Sequence, residues 1–359
     1  MVQRHAAPPA DAAALRRRAM LRATALAPAA ALLGAGRAMA ADAAPFPSHP
    51  RWKLVFVNHV TTNPFFVPTQ YGIADACALL GCDWQWTGSA TSDAAEMVNA
   101  MNAAIAGRAA AIAVPIVDPQ AFNRPVQRAL EAGIPVFAYN ADAPAASRNA
   151  RLAYIGQDLY QSGYRMGERI ATLVEGGLVA LFIATPGQLN IQPRLDGAQE
   201  AIKKSGKAIE VQTVASGPTV NEELSTIRAF CLGHKGLKGA FAVDAGSTQG
   251  VAETMRDLKL TESGVHAGGF DLLPRTLELI KAGFLDFTID QQPYLQGFYT
   301  VMEMFMFLAS GGLIGPADVN TGLKFVTRDG VDAYLSTATR YEGKTETPSI
   351  VPRSGPIKA

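Results

Sequence analysis

Polar side chains follow several apolar, β-branched segments of this 359-residue chain, at the point where each segment ends. They are Asn140, Asp142, Asn190, Arg194, Asp244, Asp271 and Gln291. Carboxylates accept hydrogen bonds, a guanidinium donates them in a fork and an amide does both, so such a set can bind a molecule rich in hydroxyl groups. Each Asp or Asn could also be a helix cap. Their repetition after successive segments favours one shared binding site.

Two aromatic residues follow the first of these segments. The sequence Thr62-Asn63-Pro64-Phe65-Phe66 places a polar turn directly before the two rings. Flat apolar rings beside an amide such as Asn63 can hold a sugar ring. The alternative is that the turn begins a helix whose phenylalanines belong to the core. The sequence alone leaves both interpretations open.

Sequence motifs of enzymes are scarce. There is no phosphate-binding loop and no nucleophile elbow, and Gly268-Gly269 lies within a predicted strand instead of opening a helix as a dinucleotide fingerprint does. Asp244 and Asp271 could serve as acid and base of a glycoside hydrolase, an alternative that these residues leave open. The three cysteines and the scattered histidines lack the spacing of a metal site. We therefore expect no catalytic residue, no cofactor and no metal.

The first forty residues have the pattern of an export signal. Arg16-Arg17-Arg18 precede an apolar segment, Ala23–Ala35, and Ala38-Met39-Ala40 is a small-x-small cleavage site. Paired arginines before a weakly apolar segment resemble a twin-arginine signal, with the general secretory route as the alternative. An amphipathic N-terminal helix of a cytosolic protein is a further alternative. We expect residues 1–40 to be removed on export to the periplasm.

The charge of the chain changes when this segment is set aside. The whole sequence has a formal net charge of +1, but residues 1–40 hold six Arg and one acid. The remainder has 26 basic and 30 acidic residues, a net charge of −4. A mildly acidic body lacks the basic surface on which nucleic-acid binding depends, so we expect no nucleic-acid partner.

Strands and helices must position the polar residues, and their predicted order is regular. From Trp52 onward, short β-branched or aromatic segments alternate with helical stretches of about 12 to 15 residues, which is typical of βαβ units and a parallel, doubly wound sheet. A segment rich in Ala, Asp, Pro and Ser, Asn140–Asn149, interrupts the series. A second series runs from about 152 to 290, followed by a long helix from Pro293. Two doubly wound units predict two α/β lobes, with ligands at the carboxyl ends of the strands.

Four segments together resemble a known family. They are Thr62-Asn63-Pro64-Phe65-Phe66, Gly133-Ile134-Pro135-Val136, Gly269-Phe270-Asp271 and Ile289-Asp290-Gln291-Gln292-Pro293. In order and spacing they are similar to the periplasmic sugar-binding proteins of the ribose and galactose type, from about Lys53 to Thr327. The resemblance implies two doubly wound lobes joined by a three-stranded hinge, which close on the ligand.

The resemblance also implies where each lobe begins and ends. The N-terminal lobe is expected to comprise 51–147 and 291–321, the C-terminal lobe 148–290 and 322–340, and a C-terminal tail 341–359. The three hinge strands are expected near 147–155, 287–292 and 320–325.

The same resemblance implies roles for the candidate residues. Phe65 and Phe66 would sandwich the ligand, with Asn63 beside them. Arg194 falls at the position of a ligand-binding arginine, and Asp271 matches the carboxylate of a Gly-Phe-Asp motif. Gln291 matches a hinge glutamine, with Gln292 as the alternative after a one-residue slip. Further polar contacts would come from Asn190 and Asp244.

The chain departs from the family pattern after its predicted fourth strand. Relatives have Asp-Arg there, whereas this chain has Asn140-Ala141, so an arginine that commonly binds sugar is missing. Asp142 is the candidate to compensate, although a carboxylate lacks the donors of a guanidinium. Val114 stands before Pro115 where ribose-type members have Asn. A polyol, deoxysugar or furanose therefore fits about as well as an aldopentose or aldohexose.

The resemblance implies an exported, non-enzymatic, monomeric solute-binding protein that delivers a sugar or polyol to the membrane permease of an ABC importer. A sugar sensor that faces a chemoreceptor uses the same fold and is an alternative. A ligand-responsive transcription regulator would need a helix-turn-helix in a basic N-terminus, whereas residues 1–50 are Ala-rich and apolar and contain a cleavage site. A two-lobed glycoside hydrolase is the remaining alternative.

Overall fold

The computed structural model describes residues 48–313 and 315–336. The expected export signal, 1–40, and the expected tail, 341–359, lie outside the described residues. The two sheets and their helices belong to the compact unit that begins at Arg51. None of the helices in the described ranges has the length and apolar character that a membrane span requires.

Six parallel strands form the first sheet, in the order β2-β1-β3-β4-β5-β11. They are β1 Lys53–Asn58, β2 Asp83–Gly88, β3 Ala111–Val114, β4 Val136–Tyr139, β5 Tyr154–Gly156 and β11 Asp318–Asn320. The helices of this lobe are α1 Val67–Leu80, α2 Ala94–Ala106, α3 Asn123–Glu131 and α9 Pro293–Ser310.

The second sheet repeats this arrangement, in the order β7-β6-β8-β9-β10-β12. Its strands are β6 Gly176–Ile183, β7 Ala208–Ala215, β8 Leu237–Ala242, β9 His266–Phe270, β10 Phe287–Asp290 and β12 Lys324–Val326. Its helices are α4 Leu159–Leu173, α5 Gln192–Lys204, α6 Val220–Gly233, α7 Ala245–Asp257, α8 Pro274–Lys281 and α10 Asp332–Ser336. Only β12 is antiparallel among these six strands. The predicted fold class, two doubly wound α/β lobes, is confirmed.

The chain crosses between the lobes three times, from β5 to α4, from β10 to α9 and from β11 to β12. Strand β5, which we expected in the second lobe, pairs with β4 in the first, so the first crossing follows Gly156 instead of 147. Strand β11, which we did not predict, pairs with β5. Its three residues, Asp318 to Asn320, are too few and too polar to show a strand pattern.

The core lies on both faces of each sheet. Every residue of β3 and of β4 is buried, as expected for a parallel strand that helices cover on both sides. In the first lobe Phe56 and Phe137 belong to one apolar cluster, and Ile112 and Val136 belong to the cluster on the opposite face. The strands are therefore held rigidly, and their carboxyl ends can present side chains in fixed positions.

Two helix pairs pack closely through glycines. A Cβ at Gly72 of α1 would collide with the carbonyl oxygen of Tyr294 in α9, and one at Gly297 of α9 would collide with the carbonyl oxygen of Thr69. In the second lobe, a Cβ at Gly163 of α4 would collide with the backbone of Arg194 in α5. The glycines thus set how closely these helices approach, and in the second lobe they also set the position of the Arg194 backbone.

We expect Gly297→Ala to lower the free energy of unfolding by about 1–3 kcal/mol, because the added methyl group overpacks the α1–α9 contact. Urea denaturation followed by circular dichroism measures this difference. Gly233→Ala is the matched control, because Gly233 ends α6 at an exposed site where a Cβ would meet no atom within 4 Å. Equal stability of the two variants would contradict the proposed role of the glycine contact.

Candidate functional site

The carboxyl ends of the two sheets enclose a cavity of about 580 Å³, including its open mouth. Nine of the ten predicted site residues line it: Asn63, Phe65, Phe66, Asn140, Asn190, Arg194, Asp244, Asp271 and Gln291. Polar residues that we did not predict also line it: His59, Ser92, Thr185, Gln188 and Glu223.

Asn140 and Asp271 occupy equivalent positions in the two lobes. Asn140 follows β4 and Asp271 follows β9, and both have left-handed backbone conformations, with φ of 63° and 76°. Asn and Asp tolerate this conformation better than other residues with a Cβ. Each residue turns the chain sharply at a strand end, and each side chain lines the cavity from its own lobe.

The aromatic wall of the cavity is built by a short 3₁₀ turn, Pro64–Phe66. The side-chain oxygen of Asn63 caps this turn by accepting a hydrogen bond from the backbone N–H of Phe65, at 2.9 Å. The rings of Phe65 and Phe66 lie 4.7 Å apart, edge to face, and Phe66 also contacts His59. Both phenylalanines line the cavity and belong to the core, so the two interpretations of this motif are compatible.

Arg194 is the cation of the cavity wall. Its Nη1 donates to the backbone oxygen of Val243 and its Nη2 to the side-chain oxygen of Gln157, each at 3.1 Å. The guanidinium lies over the ring of Phe270, 4.1 Å from its centroid. Burial lowers the pKa of Arg194, and the nearby charge of Asp271 opposes this effect. The buried Nε has no hydrogen-bond partner, so one donor remains to be satisfied.

Asp271 provides a buried carboxylate. Its Oδ1 accepts a hydrogen bond from the Nε2 of Gln291 at 2.6 Å. Burial raises the pKa of Asp271 to about 6, whereas the charge of Arg194 and the bond from Gln291 act in the opposite direction. The carboxylate is therefore mostly ionised at neutral pH, when it can accept hydrogen bonds from hydroxyl groups.

A chain of side-chain amides links the two lobes through the hinge. Asn140 donates to the Oε1 of Gln296 at 3.1 Å, and Gln296 donates to the Oε1 of Gln291 at 3.0 Å. Gln291 completes the chain with its bond to Asp271. The hydroxyl of Thr321, beside the third crossing, donates to the backbone oxygen of Gln291 at 2.8 Å. The three side-chain hydrogen bonds therefore all run in one direction, from Asn140 to the carboxylate of Asp271.

Asp244 both lines the cavity and caps helix α7. Its Oδ1 accepts from the N–H of Ser247 at 2.9 Å. Its Oδ2 accepts from the N–H of Ala184, at 2.9 Å, and from the hydroxyl of Ser247, at 3.0 Å. Asp244 therefore joins the end of β6 to the start of α7. The two interpretations of this residue, cap and cavity carboxylate, are again compatible.

The two lobes touch across the mouth of the cavity. The hydroxyl of Ser92 donates to the Oε1 of Gln188 at 2.6 Å, and Gln188 donates back to the Ser92 carbonyl at 2.9 Å. The backbone N–H of Leu189 donates to the oxygen of Val117 at 2.9 Å. No local sequence signal could identify Ser92 and Gln188, because they become neighbours only where the lobes meet.

Asp142, the tenth predicted residue, does not line the cavity. Its carboxylate forms an ion pair with Arg151, and a second, 3.4 Å pair with Arg148. Arg151 is buried and also pairs with Asp318 of β11, at 3.0 Å. Asp142 thus fastens the edge of the first sheet, so it does not replace the arginine that is missing at Ala141.

Three comparisons place the chain among known proteins. A family model described as a periplasmic binding protein domain matches residues 54–312. The chain is 53% identical over 311 residues to the xylose/arabinose-binding protein XylF of Sulfolobus acidocaldarius, covering 83% of this chain and 76% of that protein.

Solved structures of similar proteins share the fold. An ABC transporter solute-binding protein of Burkholderia graminis, in complex with D-arabinose, superposes with a TM-score of 0.73 at 25% identity. The match covers 79% of this chain and 98% of that one. The sugar-binding protein of a sugar ABC transporter from Bacillus halodurans gives a TM-score of 0.68 at 25% identity, covering 79% and 99% of the two chains.

We expect the imidazole of His59 to stay uncharged well below neutral pH. The ring is buried, lies 3.2 Å from the Asn190 amide through Nε2, and burial lowers its pKa to about 4. Imidazole ¹⁵N chemical shifts recorded between about pH 7 and about pH 5 should therefore show one neutral tautomer. His59→Gln identifies the resonance. A titration midpoint near 6.5, the ordinary pKa of a histidine imidazole, would contradict the buried, neutral state.

Proposed function

This chain belongs to the periplasmic binding protein family, and we propose that it is an exported, non-enzymatic protein that binds a pentose sugar between its lobes and delivers it to an ABC importer. The observation that carries this proposal is the composition of the cavity. Acceptors on Asp271, donors on Arg194 and amides on Asn140 converge on one space beside Phe65. Hydroxyl groups require both donors and acceptors, and the apolar face of a sugar ring packs on an aromatic ring.

The charges of the cavity favour an uncharged ligand. Three carboxyl groups, on Glu223, Asp244 and Asp271, line it together with a single guanidinium, that of Arg194. A sugar phosphate or sugar acid would add negative charge beside these carboxyl groups, and the described residues of the cavity include no second cation to balance that charge. A neutral monosaccharide adds none. The relative named for xylose and arabinose supports a pentose within this class.

Binding would proceed by closure of the lobes over the sugar. Asn140 contributes from the first lobe, and Arg194 and Asp271 contribute from the second. A ligand that contacts both sides stabilises the closed arrangement by its differential affinity for that state. The contact between Ser92 and Gln188 adds two hydrogen bonds that only a closed cleft permits. A permease would then recognise the surface that closure brings together.

A glycoside hydrolase is less consistent with the geometry. An acid and base pair needs carboxyl oxygens that are free to reach the scissile bond or a water molecule. The oxygens of Asp244 already accept three hydrogen bonds from Ala184 and Ser247. The arrangement therefore favours binding of a sugar over hydrolysis of a glycoside.

Export, partner and assembly state belong to the same proposal. We assign residues 1–40 as the removed signal, with the mature chain beginning at Ala41, and expect a monomer that docks on a membrane permease. A chemoreceptor is the alternative docking partner, since the same closed surface could be read by either protein.

A thermal-shift screen of the chain from Ala41 onward tests the ligand class. We expect a pentose at roughly 100 times its dissociation constant to add about 2.7 kcal/mol to the free energy of unfolding, and so to raise the melting temperature by a few degrees. Hexoses, deoxysugars, polyols and sugar phosphates complete the panel. A panel without any shift would contradict the assignment of a sugar ligand.

Substitutions in the cavity test which side chains bind the sugar. Arg194→Ala and Asp271→Ala should each weaken pentose binding by about 2–4 kcal/mol, because a polar partner is left buried and unpaired. Isothermal titration calorimetry measures the loss. Asp196→Ala, on the exposed side of the same helix as Arg194, is the matched control and should bind like the parent. Parental affinity in both cavity variants would contradict the proposed site.

A further inference from the structure

Glu223 is a cavity residue that neither the sequence motifs nor the hinge geometry explains. It lies in the first turn of α6, where acidic residues are common because they complement the helix dipole. Its neighbour Glu222 follows that pattern, since it is exposed and forms a capping box with Thr219. Glu223 instead turns inward, is only 4% exposed and lines the cavity.

The position of Glu223 depends on a glycine. A Cβ at Gly246, in the first turn of α7, would occupy the place of the Glu223 Oε2. The carboxyl group therefore packs directly on the backbone of α7, beside the Asp244 cap. Any larger residue at position 246 would displace it from the cavity wall.

Glu223 has fewer protein partners than Asp244: it contacts the Ser247 hydroxyl and shares a hydrogen bond with the Asp244 carboxyl group. Its Oε1 lies 3.4 Å from the hydroxyl of Ser247. That hydroxyl has a single proton, and it also lies 3.0 Å from Asp244 and 2.7 Å from the hydroxyl of Ser216. Asp244 accepts two backbone N–H groups in addition. Of the two carboxyl groups, Glu223 thus has the larger capacity left for a ligand.

The charged groups around Glu223 are mostly acidic. Asp244 faces it from α7, Glu222 precedes it on α6, and Asp271 lies across the cavity. Among the described residues Glu223 has no ion pair with a Lys, Arg or His. Arg194, the guanidinium that lines the cavity, directs two of its donors to Val243 and Gln157. Two adjacent carboxyl groups that are buried without a cation retain a proton between them.

We propose that Glu223 contacts the ligand as an uncharged carboxylic acid, whose O–H donates a hydrogen bond to a ligand oxygen. This inference rests on the proposed function and adds a specificity-determining residue to its site. Without ligand the same O–H donates to the adjacent Asp244 carboxylate, its hydrogen-bond partner within the protein. The cavity then offers one guanidinium and one neutral acid as donors, and the Asp271 carboxylate as acceptor.

The ionisation of Glu223 is consistent with this role. Burial, and then the charge of Asp244, raise the pKa of Glu223 to about 9. The acid is therefore protonated at neutral pH and loses its proton as the pH rises through that value. Because deprotonation removes the donor and adds a negative charge beside Asp244, the ligand should bind the protonated form preferentially.

The test is the dissociation constant of D-xylose and of L-arabinose between about pH 7.5 and about pH 10, measured by calorimetry on the parent chain and three variants. For the parent, linkage predicts that affinity falls about tenfold between pH 8 and pH 10. In Glu223→Gln the side chain cannot ionise, and the change over that range should be less than about twofold. Glu223→Leu, which has no donor, should bind about tenfold more weakly than the parent at about pH 7.5.

Glu222→Gln is the matched control. It removes a carboxylate from the same helix turn, outside the cavity, and should keep the tenfold decline of the parent. Circular dichroism at about pH 10 checks that each variant stays folded. A parent affinity that is independent of pH, or a Glu223→Gln variant that declines like the parent, would overturn the role of Glu223 while leaving the sugar site intact. A parent chain that binds neither pentose at about pH 7.5 would instead contradict the proposed function itself.

Discussion

The buried amide chain from Asn140 to Asp271 is the interaction on which the arrangement of the two lobes depends. Its members come from the first lobe, the hinge and the second lobe, and each is buried and therefore needs a hydrogen-bond partner. Losing one bond would leave a buried amide unpaired, which costs more than the bond itself contributes. This series of amide hydrogen bonds fixes the side chains of Asn140 and Asp271 on opposite sides of one cavity before any ligand arrives. It thereby reduces the entropic cost of ordering them on binding.

Electrostatics decide what this cavity can hold. Arg194 is tied to the second lobe by two hydrogen bonds and by contact with the Phe270 ring, so its charge cannot move far to neutralise an anion. Burial raises the pKa of both Asp271 and Glu223, to about 6 and about 9. At neutral pH one carboxyl group is therefore an acceptor and the other a donor. Two groups of the same chemical type take opposite roles because their surroundings differ, and a ring of hydroxyl groups can use both.

The sequence predicts the fold class well, because parallel strands that are buried on both faces leave long apolar segments such as those of β3 and β4. It also predicts strand-end residues such as Asn140 and Asp271, since topology alone brings the carboxyl ends of strands together. It fails where a residue's role depends on a distant partner. Ser92 and Gln188 meet only across the cleft, Arg151 draws Asp142 away from it, and Glu223 has the local pattern of an ordinary helix start. The polar strand β11 has no apolar alternation that would reveal it.

A crystal structure of the chain from Ala41 onward with D-xylose bound is the most direct test of the proposed sugar site. We expect one sugar in the interlobe cavity, with its ring packed on Phe65 and with oxygens at hydrogen-bond distance from Arg194, Asp271 and Glu223. The lobes should stay closed through the Ser92–Gln188 contact. A sugar bound in another groove, such as the one lined by Tyr154 and Pro193, or a cavity that stays empty in the presence of saturating sugar, would contradict the proposed site.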